Sequence, residues 1–408
     1  MSGALGTLKE RGFVSQCSDE AGLVKLLDGE RTTFYIGFDP TGDSLHVGHL
    51  QQLMAMAHLQ RAGHQPIALV GGGTARIGDP SGKSEMRKIL PVETITANGE
   101  CFRRQMSRFL DFSEGRALLL DNAEWLAPLN YIEFLRDIGR HFSVNRMLTF
   151  EAYKMRLETG LSFIEFNYQL LQSYDYLMLY RRHGCRLQMG GDDQWGNIVA
   201  GMDLIRRVDG GEAFALTSPL VTRSDGKKMG KTETGALFLD PKQTSPYDFH
   251  QYWVNVPDDD VEQFLLRFTF LPVEEIRGLC AHRDQRINEA KRVLARELTT
   301  IVHGVDEARR AEEAARAVFG GGADMSSLPT LAVAESDIAA GLSVIDAIVR
   351  SGLCATKSEA RRLIAQGGAV LNGKKVISID ATLSREDFSS GAAVLQAGKK
   401  KHRRVVLT

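Results

Sequence analysis

Residues 33–60 are TFYIGFDPTGDSLHVGHLQQLMAMAHLQ, and this stretch decides the fold of the first part of the chain. Thr33–Phe38 is a short run rich in apolar and aromatic residues, which predicts a strand. Val47–Gln60 has apolar residues at helical spacing and is followed by Gly63, which predicts a helix. Ser44 is placed to cap its first turn. A strand followed directly by a helix is the repeating unit of an α/β fold.

The same alternation continues along the chain. Further strands are predicted at Pro66–Val70, Ala117–Leu120 and Arg186–Met189, and helices after Pro91, over Phe163–Arg182 and after Asp193. Alternating strands and helices predict a parallel sheet with helices on both faces. Ligands of such sheets bind beyond the carboxyl ends of the strands, so the motifs that follow strands are the functional candidates.

The pattern changes in the second half of the chain. Helices are predicted at Val261–Leu271, Val273–Cys280 and Arg286–Arg316, without strands between them. A turn-rich stretch then precedes a compact α+β module. The predicted boundaries are 1–240 for the α/β domain, 241–325 for a helical domain, 326–342 for a linker and 343–408 for the module.

The composition is that of a soluble globular protein in a reducing compartment. Of the 408 residues, 43% are hydrophobic and 25% are charged. The first residues lack the apolar core of a signal peptide, and no apolar run approaches the ~18 residues of a membrane span. The five cysteines are scattered without C-x-x-C spacing, which argues for reduced thiols and a cytoplasmic location and against a zinc site.

Positive charge is concentrated at the C-terminus. Residues 343–408 contain 12 Lys/Arg and 5 Asp/Glu, a net charge of +7, so the remainder of the chain carries −8. Such asymmetry favours a polyanionic partner for this module, and a solvated basic surface is the alternative. A helix predicted over Lys357–Ala365 places Arg361 one turn after Lys357. It ends at a glycine pair, after which Asn372-Gly373 predicts a hairpin turn.

His46-Val47-Gly48-His49 is a candidate phosphate-binding element. The two histidines are three residues apart at a helix N-terminus, so they share one face, and the free N–H groups there favour bound phosphate. Imidazoles can donate hydrogen bonds to a developing phosphoryl oxyanion, and Gly48 lets a flat ligand approach the backbone. Two ordinary surface histidines with a packing glycine are the alternative.

A second candidate is the basic loop Arg223–Thr232, RSDGKKMGKT. Its lysines could close over a pyrophosphate leaving group. Taken alone, such a stretch is more commonly a lysine-rich surface loop. The phosphate-binding interpretation is favoured here because the loop occurs together with the histidine motif. GDPSGKS at 78–84 is not a P-loop, because three residues separate its glycines where the P-loop has four.

The helix predicted over Phe163–Arg182 carries three polar residues on one face: Tyr168, Gln172 and Asp175. The helix is otherwise largely apolar and is therefore expected to be buried. Buried polar groups need partners. A polar ligand would supply them, and an internal hydrogen-bond network is the alternative.

HVGH after FDPTGDSL, with KMGKT about 180 residues later, resembles the signature pair of class I aminoacyl-tRNA synthetases. YIGFDPTGDSLHVGHL, GGGTARIGDPSGKS, FNYQLLQSYDY and RLQMGGDDQWGN resemble segments of the bacterial tyrosyl-tRNA synthetases. KSEARRLIAQGGAVLNGKK resembles an S4 RNA-binding module. The chain departs in having Val47 for the usual Ile, and Gly230 where many class I enzymes have Ser.

The resemblance implies a Rossmann-like catalytic domain, an α-helical tRNA-binding domain and an S4-like RNA-binding domain, in a homodimer. It implies that the carboxylate of L-tyrosine attacks the α-phosphate of ATP and releases pyrophosphate. The tyrosyl group then passes to the 3′-terminal ribose of tRNA(Tyr). Mg²⁺ is expected to arrive with ATP, without a tightly bound cofactor. No large insertion is present that could house an editing domain.

Site residues are carried over from the resemblance position by position. The amino-acid contacts are Tyr35 and Asp175 for the phenol, Asp79, Tyr168 and Gln172 for the ammonium, and Gln194 near the carboxylate. The phosphate contacts are Thr41, His46 and His49, with Lys83, Lys228 and Lys231 on the pyrophosphate. The other nucleotide contacts are Gly37, Asp39, Gly48, Gly190, Gly191 and Asp193. The RNA contacts are Lys357, Arg361, Arg362, Lys374 and Lys375.

Three other readings remain open at this point. The tryptophanyl enzyme is a sister family, against which Tyr35, Asp175 and the S4-like tail count. A small-molecule adenylyltransferase would share the H-x-G-H element but would have no use for the helical domain and basic tail. A non-catalytic RNA-binding protein on a synthetase scaffold would not require both phosphate motifs.

Overall fold

The computed structural model describes residues 3–81, 89–222, 224, 231–232, 235–282, 284–320, 328–398 and 401–408. The chain divides into two compact units. The first contains Met1–Met229 and Glu262–Gly278, and the second contains Gly230–Val261 and Leu279–Thr408.

The first unit is built on a six-stranded sheet. Its strands are β1 (Gln16–Cys17), β2 (Thr33–Phe38), β3 (Gln65–Val70), β4 (Leu118–Asp121), β5 (Cys185–Gly191) and β6 (Phe214–Ser218). They lie in the order β1-β6-β5-β2-β3-β4, with β1 antiparallel to β6 and all other neighbours parallel. Phe34 and Ile36 in β2 and Ile67 in β3 are all buried, as strands covered on both faces require. The predicted parallel α/β sheet is confirmed.

Helices connect the strands of this sheet. They are α1 (Ala4–Glu10), α2 (Glu20–Gly29), α3 (Val47–Arg61), α4 (Val92–Met106), α5 (Ala123–Leu126), α6 (Tyr131–Asp137), α7 (Val144–Met147), α8 (Glu151–Thr159), α9 (Phe163–Phe166), α10 (Tyr168–His183) and α11 (Trp195–Asp209). β3 and β4 lie on one side of β2, and β5 and β6 on the other. The strand order therefore reverses between β2 and β5, which is where ligands of such sheets bind.

The single helix predicted over Phe163–Arg182 is two helices. The side-chain amide of Asn167, between α9 and α10, donates to the backbone carbonyl of Phe163 (2.6 Å). A capping box formed by Ser162 and Glu165 begins α9. The helical periodicity runs across this junction, so the pattern alone does not reveal the break.

After the last strand of the first sheet come a short antiparallel pair, β7 (Lys231–Thr232) and β8 (Gly235–Ala236), and then five of the described helices. They are α12 (Pro246–Val254), α13 (Val261–Phe268), α14 (Val273–Cys280), α15 (Ile287–His303) and α16 (Val305–Gly320). The helix predicted over 286–316 breaks at Gly304, whose φ of +94° is rare for other residues. Arg11 in the first unit donates to three backbone carbonyls within 266–271, which ties α13 to that unit.

The second unit contains a five-stranded sheet of β9 (Thr330–Val333), β10 (Ala369–Leu371), β11 (Lys374–Lys375), β12 (Ala393–Ala397) and β13 (Lys401–Leu407). Its order is β11-β10-β12-β13-β9, with β13 parallel to β9 and the other described neighbours antiparallel. The helices that accompany this sheet in sequence are α17 (Glu335–Ala339), α18 (Val344–Arg350) and α19 (Lys357–Ala365), and α12, α15 and α16 belong to the same unit. β9 and α17 lie within the stretch predicted as a linker, so much of that stretch belongs to the folded module.

Two local predictions for this module hold. The helix predicted over Lys357–Ala365 has these bounds. Asn372 and Gly373 both have positive φ, +48° and +78°, as a tight hairpin turn requires. Among the described helices, none has the length and apolarity needed to cross a bilayer.

Candidate active site

The candidate site lies at the carboxyl ends of β2, β3, β4 and β5 in the first unit. β2 leads into Asp39 and the start of α3, and β3 into Gly71-Gly72-Gly73-Thr74. β4 is followed by Asn122, and β5 ends at Gly191 before a 3-10 turn, Asp192–Gln194. Because neighbouring parallel strands end at one edge, residues distant in sequence meet there.

Hydrogen bonds from the backbone fix the tautomer of each neutral histidine ring. His46 is the N-cap of α3, and its Nδ1 accepts a hydrogen bond from the backbone N–H of Gly48 (3.0 Å). The Nδ1 of His49 accepts one from the backbone N–H of His46 (3.1 Å). A ring nitrogen that accepts an N–H carries no proton, so each neutral ring has its proton on Nε2. The rings, with centroids 4.0 Å apart, are therefore arranged to donate through Nε2.

The start of α3 differs from the prediction at Ser44. Its buried hydroxyl donates to the carbonyl of Leu45 (2.7 Å), and the cap is His46 instead. A Cβ on Gly48 would lie 2.7 Å from Cε1 of His46, too close for an unstrained contact. A side chain at position 48 would therefore displace the His46 ring from its capping position, besides limiting the approach of a ligand.

Asp175 and Tyr35 are two buried polar residues that are not bonded to each other. The carboxylate of Asp175, 2% exposed, accepts hydrogen bonds from Nε1 of Trp125 (2.7 Å) and Nδ2 of Asn122 (2.9 Å). Burial raises its pKa to about 8, although both donors lower it. Burial and the charge of Asp175 raise the pKa of Tyr35 well above its usual value. The Tyr35 hydroxyl, in a residue 1% exposed, has no partner among the described residues.

Asp79, Gln194 and Gln172 form a second polar cluster. Asp79 is 8% exposed and accepts hydrogen bonds from the backbone N–H of Ser81 (2.9 Å) and Nε2 of Gln194 (2.7 Å). Burial raises its pKa to about 6, while these bonds lower it. Nδ2 of Asn197 donates to Oε1 of Gln172 (3.1 Å) and of Gln194 (3.3 Å). The three predicted ammonium and carboxylate contacts on these residues are thus side by side.

Asp39 joins the two polar regions. Its carboxylate accepts hydrogen bonds from the hydroxyls of Tyr168 (2.9 Å) and Thr74 (2.7 Å). The Thr74 hydroxyl in turn accepts one from Nδ2 of Asn122 (2.9 Å), which also bonds Asp175. Asp39 was assigned to the nucleotide by resemblance, and in the structure it is also bonded to the amino-acid contact Tyr168.

Four residues of this network were not singled out from the sequence. They are Thr74, Asn122, Trp125 and Asn197. A usable signal existed for two of them, because Thr74 and Asn122 are polar residues that follow strand ends. Trp125 and Asn197 lie inside helices, where nothing local distinguishes them from ordinary core residues.

The glycines assigned to the nucleotide lie where strands end. Gly37 in β2 is exposed, and a Cβ there would meet nothing within 4 Å. Gly190 and Gly191 end β5, and a Cβ on Gly191 would lie 2.5 Å from Oδ1 of Asp193. Asp193 itself is exposed. The backbone at Gly37 and the carboxylate at Asp193 are therefore accessible to a ligand.

The structure describes some of the remaining predicted phosphate contacts and not others. Thr41 is exposed, and its backbone N–H donates to the carbonyl of Asp39 (2.8 Å). Lys83 and Lys228 lie outside the described residues. Lys231 is described only through its backbone, in β7.

The predicted RNA-binding residues are exposed in the second unit. Lys357, Arg361 and Arg362 lie on α19, and Lys374 and Lys375 form β11. Nζ of Lys357 lies 2.6 Å from Oδ1 of Asp346, so its charge is partly neutralised within the module. The other four form no ion pair among the described residues.

The parallel sheet, the histidine-capped helix at its switch point and the polar pocket beside it define a class I tRNA synthetase. Consistent with this, the family of "tRNA synthetases class I (W and Y)" matches residues 27–320, and the "Tyrosine--tRNA ligase SYY-like C-terminal domain" matches residues 323–405.

Full-length relatives narrow the assignment. The tyrosine–tRNA ligase of Caldanaerobacter subterraneus is 55% identical over 403 residues, with 99% of both chains covered. That of Acetivibrio thermocellus is 53% identical over 407 residues, with both chains fully covered. The mitochondrial tyrosyl-tRNA synthetase of Aspergillus nidulans, 30% identical, matches 78% of this chain and 95% of its own with a TM-score of 0.70. The chain belongs to the tyrosine–tRNA ligases, which confirms the resemblance seen in its motifs.

Proposed function

We propose that this chain activates L-tyrosine with ATP and transfers the tyrosyl group to tRNA(Tyr). The observation that carries the amino-acid choice is the buried Tyr35 hydroxyl, unpartnered among the described residues and within electrostatic range of Asp175. A substrate phenol would give the Tyr35 hydroxyl a hydrogen-bond partner and would add one to Asp175, which already accepts from Trp125 and Asn122. Phenylalanine would leave the Tyr35 hydroxyl buried and unpaired, which is a basis for rejecting it.

The ammonium of tyrosine is assigned to Asp79, Tyr168 and Gln172. A buried carboxylate whose pKa is raised to about 6 is stabilised by a cation beside it. Gln194 bonds Asp79 directly, so it is placed to approach the substrate carboxylate next to the ammonium. These contacts hold the carboxylate for attack, and catalysis consists of positioning.

The α-phosphate is assigned to the end of α3. The Nε2–H groups of His46 and His49 and the positive end of the α3 dipole favour charge that develops on phosphoryl oxygens. Thr41 lies in the turn before them. Lys83, Lys228 and Lys231 are proposed to neutralise the pyrophosphate, and Mg²⁺ to arrive bound to ATP. The nucleotide lies along Gly37, Gly48, Gly190, Gly191 and Asp193.

The second unit is proposed to bind tRNA. Arg361, Arg362, Lys374 and Lys375 are exposed and, among the described residues, unpaired, so they are available for phosphate contacts. Contacts to phosphate set the affinity but do not read the base sequence. Substituting these residues should therefore change the affinity for all tRNAs to a similar extent. The proposed domains remain the catalytic region 1–240, a helical tRNA-binding region 241–325 and an S4-like module near 343–408.

A homodimer is proposed from an apolar surface in the first unit. Among the described residues, six of the thirteen exposed large hydrophobic side chains fall within residues 131–163, on α6 to α9. They are Tyr131, Ile132, Val144, Met155, Leu157 and Phe163. Contiguous exposed apolar patches mark protein interfaces, and these side chains are proposed to form one. A second copy of the chain would bury them through the same surface on both subunits.

The dimer is tested by one substitution and a matched control. Phe163→Asp should give monomers in sedimentation experiments, because it places a charge in an apolar interface. Val305→Asp replaces a side chain of nearly equal exposure, 70% against 71%, in the other unit and should leave the dimer intact. A wild-type monomer, or dimers of F163D, would contradict the proposal.

The activity is tested by amino-acid-dependent ATP–pyrophosphate exchange without tRNA, comparing tyrosine, phenylalanine and tryptophan. Exchange with tyrosine alone is expected, and exchange with tryptophan alone would void the roles of Tyr35 and Asp175.

The free state of all five cysteines supports a reducing location, the cytoplasm.

A further inference from the structure

We infer that Asp192 is a positioning residue for adenylate formation, and that it acts by fixing the turn that carries Asp193 and Gln194. The inference rests on the proposed function, in which Asp193 contacts the nucleotide and Gln194 the amino acid. Asp192 opens the 3-10 turn Asp192–Gln194 directly after β5. Its side chain has no assigned contact with tyrosine or ATP.

Three side chains hold the carboxylate of Asp192. Oδ2 accepts a hydrogen bond from the hydroxyl of Ser15 (2.6 Å), and Oδ1 from the hydroxyl of Thr217 (2.6 Å) and Nε2 of Gln16 (3.2 Å). Hydrogen bonds to an ionised acceptor are stronger than neutral ones. Both oxygens are thus engaged, and the side chain is held in a single orientation.

The three donors come from β6 and from the start of β1, which lie on the same side of β5. Thr217 is fully buried in β6 and pairs with Gly190 of β5. Ser15 and Gln16 are at the start of edge strand β1, where the N–H of Ser15 donates to the carbonyl of Thr217 (2.8 Å). Asp192 therefore links the end of β5 to β6 and to β1.

The turn has little freedom to compensate for the loss of these bonds. Nε2 of Gln194 donates a hydrogen bond to Oδ2 of Asp79 (2.7 Å). A Cβ on Gly191 would lie 2.5 Å from Oδ1 of Asp193, so the Asp193 carboxylate lies directly against the backbone. A displacement of Asp192 would move both neighbours together. Displacements of about 1 Å can cost on the order of 100-fold in rate.

The test is pyrophosphate exchange with separate kcat and KM for ATP and tyrosine, on D192A, D192N and the control D209N. Asp209 also accepts two side-chain hydrogen bonds, from Arg181, but at the opposite end of α11. We expect kcat/KM for ATP to fall at least about 10-fold in D192A. D192N should retain part of the activity, because its amide oxygen still accepts a hydrogen bond and the hydroxyls can reorient. D209N should be unchanged.

A double mutant separates positioning from a general loss of stability. In an Asp193→Ala background the effect of D192A on KM for ATP should largely disappear, because its target is gone. A lower melting temperature with unchanged kinetic constants in D192A, or full additivity with D193A, would overturn the inference. Absence of tyrosine-dependent exchange in the wild type would instead refute the proposed function on which it rests.

Discussion

Lowering the pH through the pKa of Asp79 is expected to weaken tyrosine binding. Burial raises this pKa to about 6, while hydrogen bonds from Ser81 and Gln194 lower it. Above pH 6 the carboxylate is charged and attracts the substrate ammonium, and below pH 6 it is neutral. Because the folded pKa lies above the unfolded value, protonation of this group favours the folded state, and that contribution is lost as pH rises through 6. Weaker binding at low pH would thus not reflect unfolding caused by Asp79.

The magnitude follows from the fraction of Asp79 that is ionised. If only the charged form binds, Kd rises about 10-fold for each pH unit below 6, about 1.4 kcal/mol per unit. At pH 5 the Kd of tyrosine should be roughly 10-fold above its value near pH 7. Asp175, whose pKa is raised to about 8, titrates about two units higher and gives a separate inflection.

Calorimetric titration of tyrosine without ATP measures this effect apart from the phosphate contacts of His46 and His49. The control is D79N, which keeps the shape but not the charge. It should bind more weakly at pH 7, by about 1.5–3 kcal/mol, and show no change between pH 5 and 7. Circular dichroism at each pH verifies folding. A wild-type Kd that changes less than about twofold, or a D79N variant with the wild-type profile, would refute the reasoning.

Three further predictions concern the pocket, the fold and the phosphate element. Tyr35→Phe should lower kcat/KM for tyrosine by roughly 2- to 12-fold, the value of one neutral hydrogen bond, and narrow the tyrosine-to-phenylalanine ratio in pyrophosphate exchange. An unchanged ratio would exclude a contact between Tyr35 and the phenol. Arg156→Met should reduce the free energy of unfolding in urea by about 3–5 kcal/mol, because it leaves Glu165 buried without its partner 3.0 Å away. R156M/E165L should recover much of the loss, and a single variant as stable as the wild type would contradict this account. Gly48→Ala should lower the rate of adenylate formation in single-turnover assays more than it changes tyrosine Kd, since the new Cβ displaces His46. Equal effects on both quantities would point to a general distortion.

The elements that build the site were predictable because their signals are local. β2 has the predicted bounds, and α3 ends one residue beyond its prediction. Periodicity and turn residues carry this information within a few positions. The break at Asn167 was missed because apolar spacing continues through it, and the helices α6 to α8 were missed because they are only four to nine residues long.

The ligand-facing residues and the residues that support them differ in what a sequence reveals. Tyr168, Gln172 and Asp175 stand out as polar groups on an apolar helix. The bond between Asn122 and Asp175 spans 53 positions and has no local pattern. It depends on strand register: Val70 in β3 pairs with Asp121 in β4, and the N–H of Asn122 then donates to the carbonyl of Val70 (3.0 Å).

That register explains why the pocket depends on β4 although β4 supplies no assigned substrate contact. With Asn122 placed by Val70, its Oδ1 accepts the N–H of Gly73 (2.7 Å), which leaves its Nδ2 to donate to Thr74 and Asp175. A one-residue slip of β4 would direct each side chain to the opposite face and leave Asp175 without one of its two donors. Because those donors lower the pKa of a carboxyl that burial raises to about 8, the slip would raise it further. The charge state of the group proposed to recognise the phenol is therefore set by strand pairing as much as by the residues of the pocket.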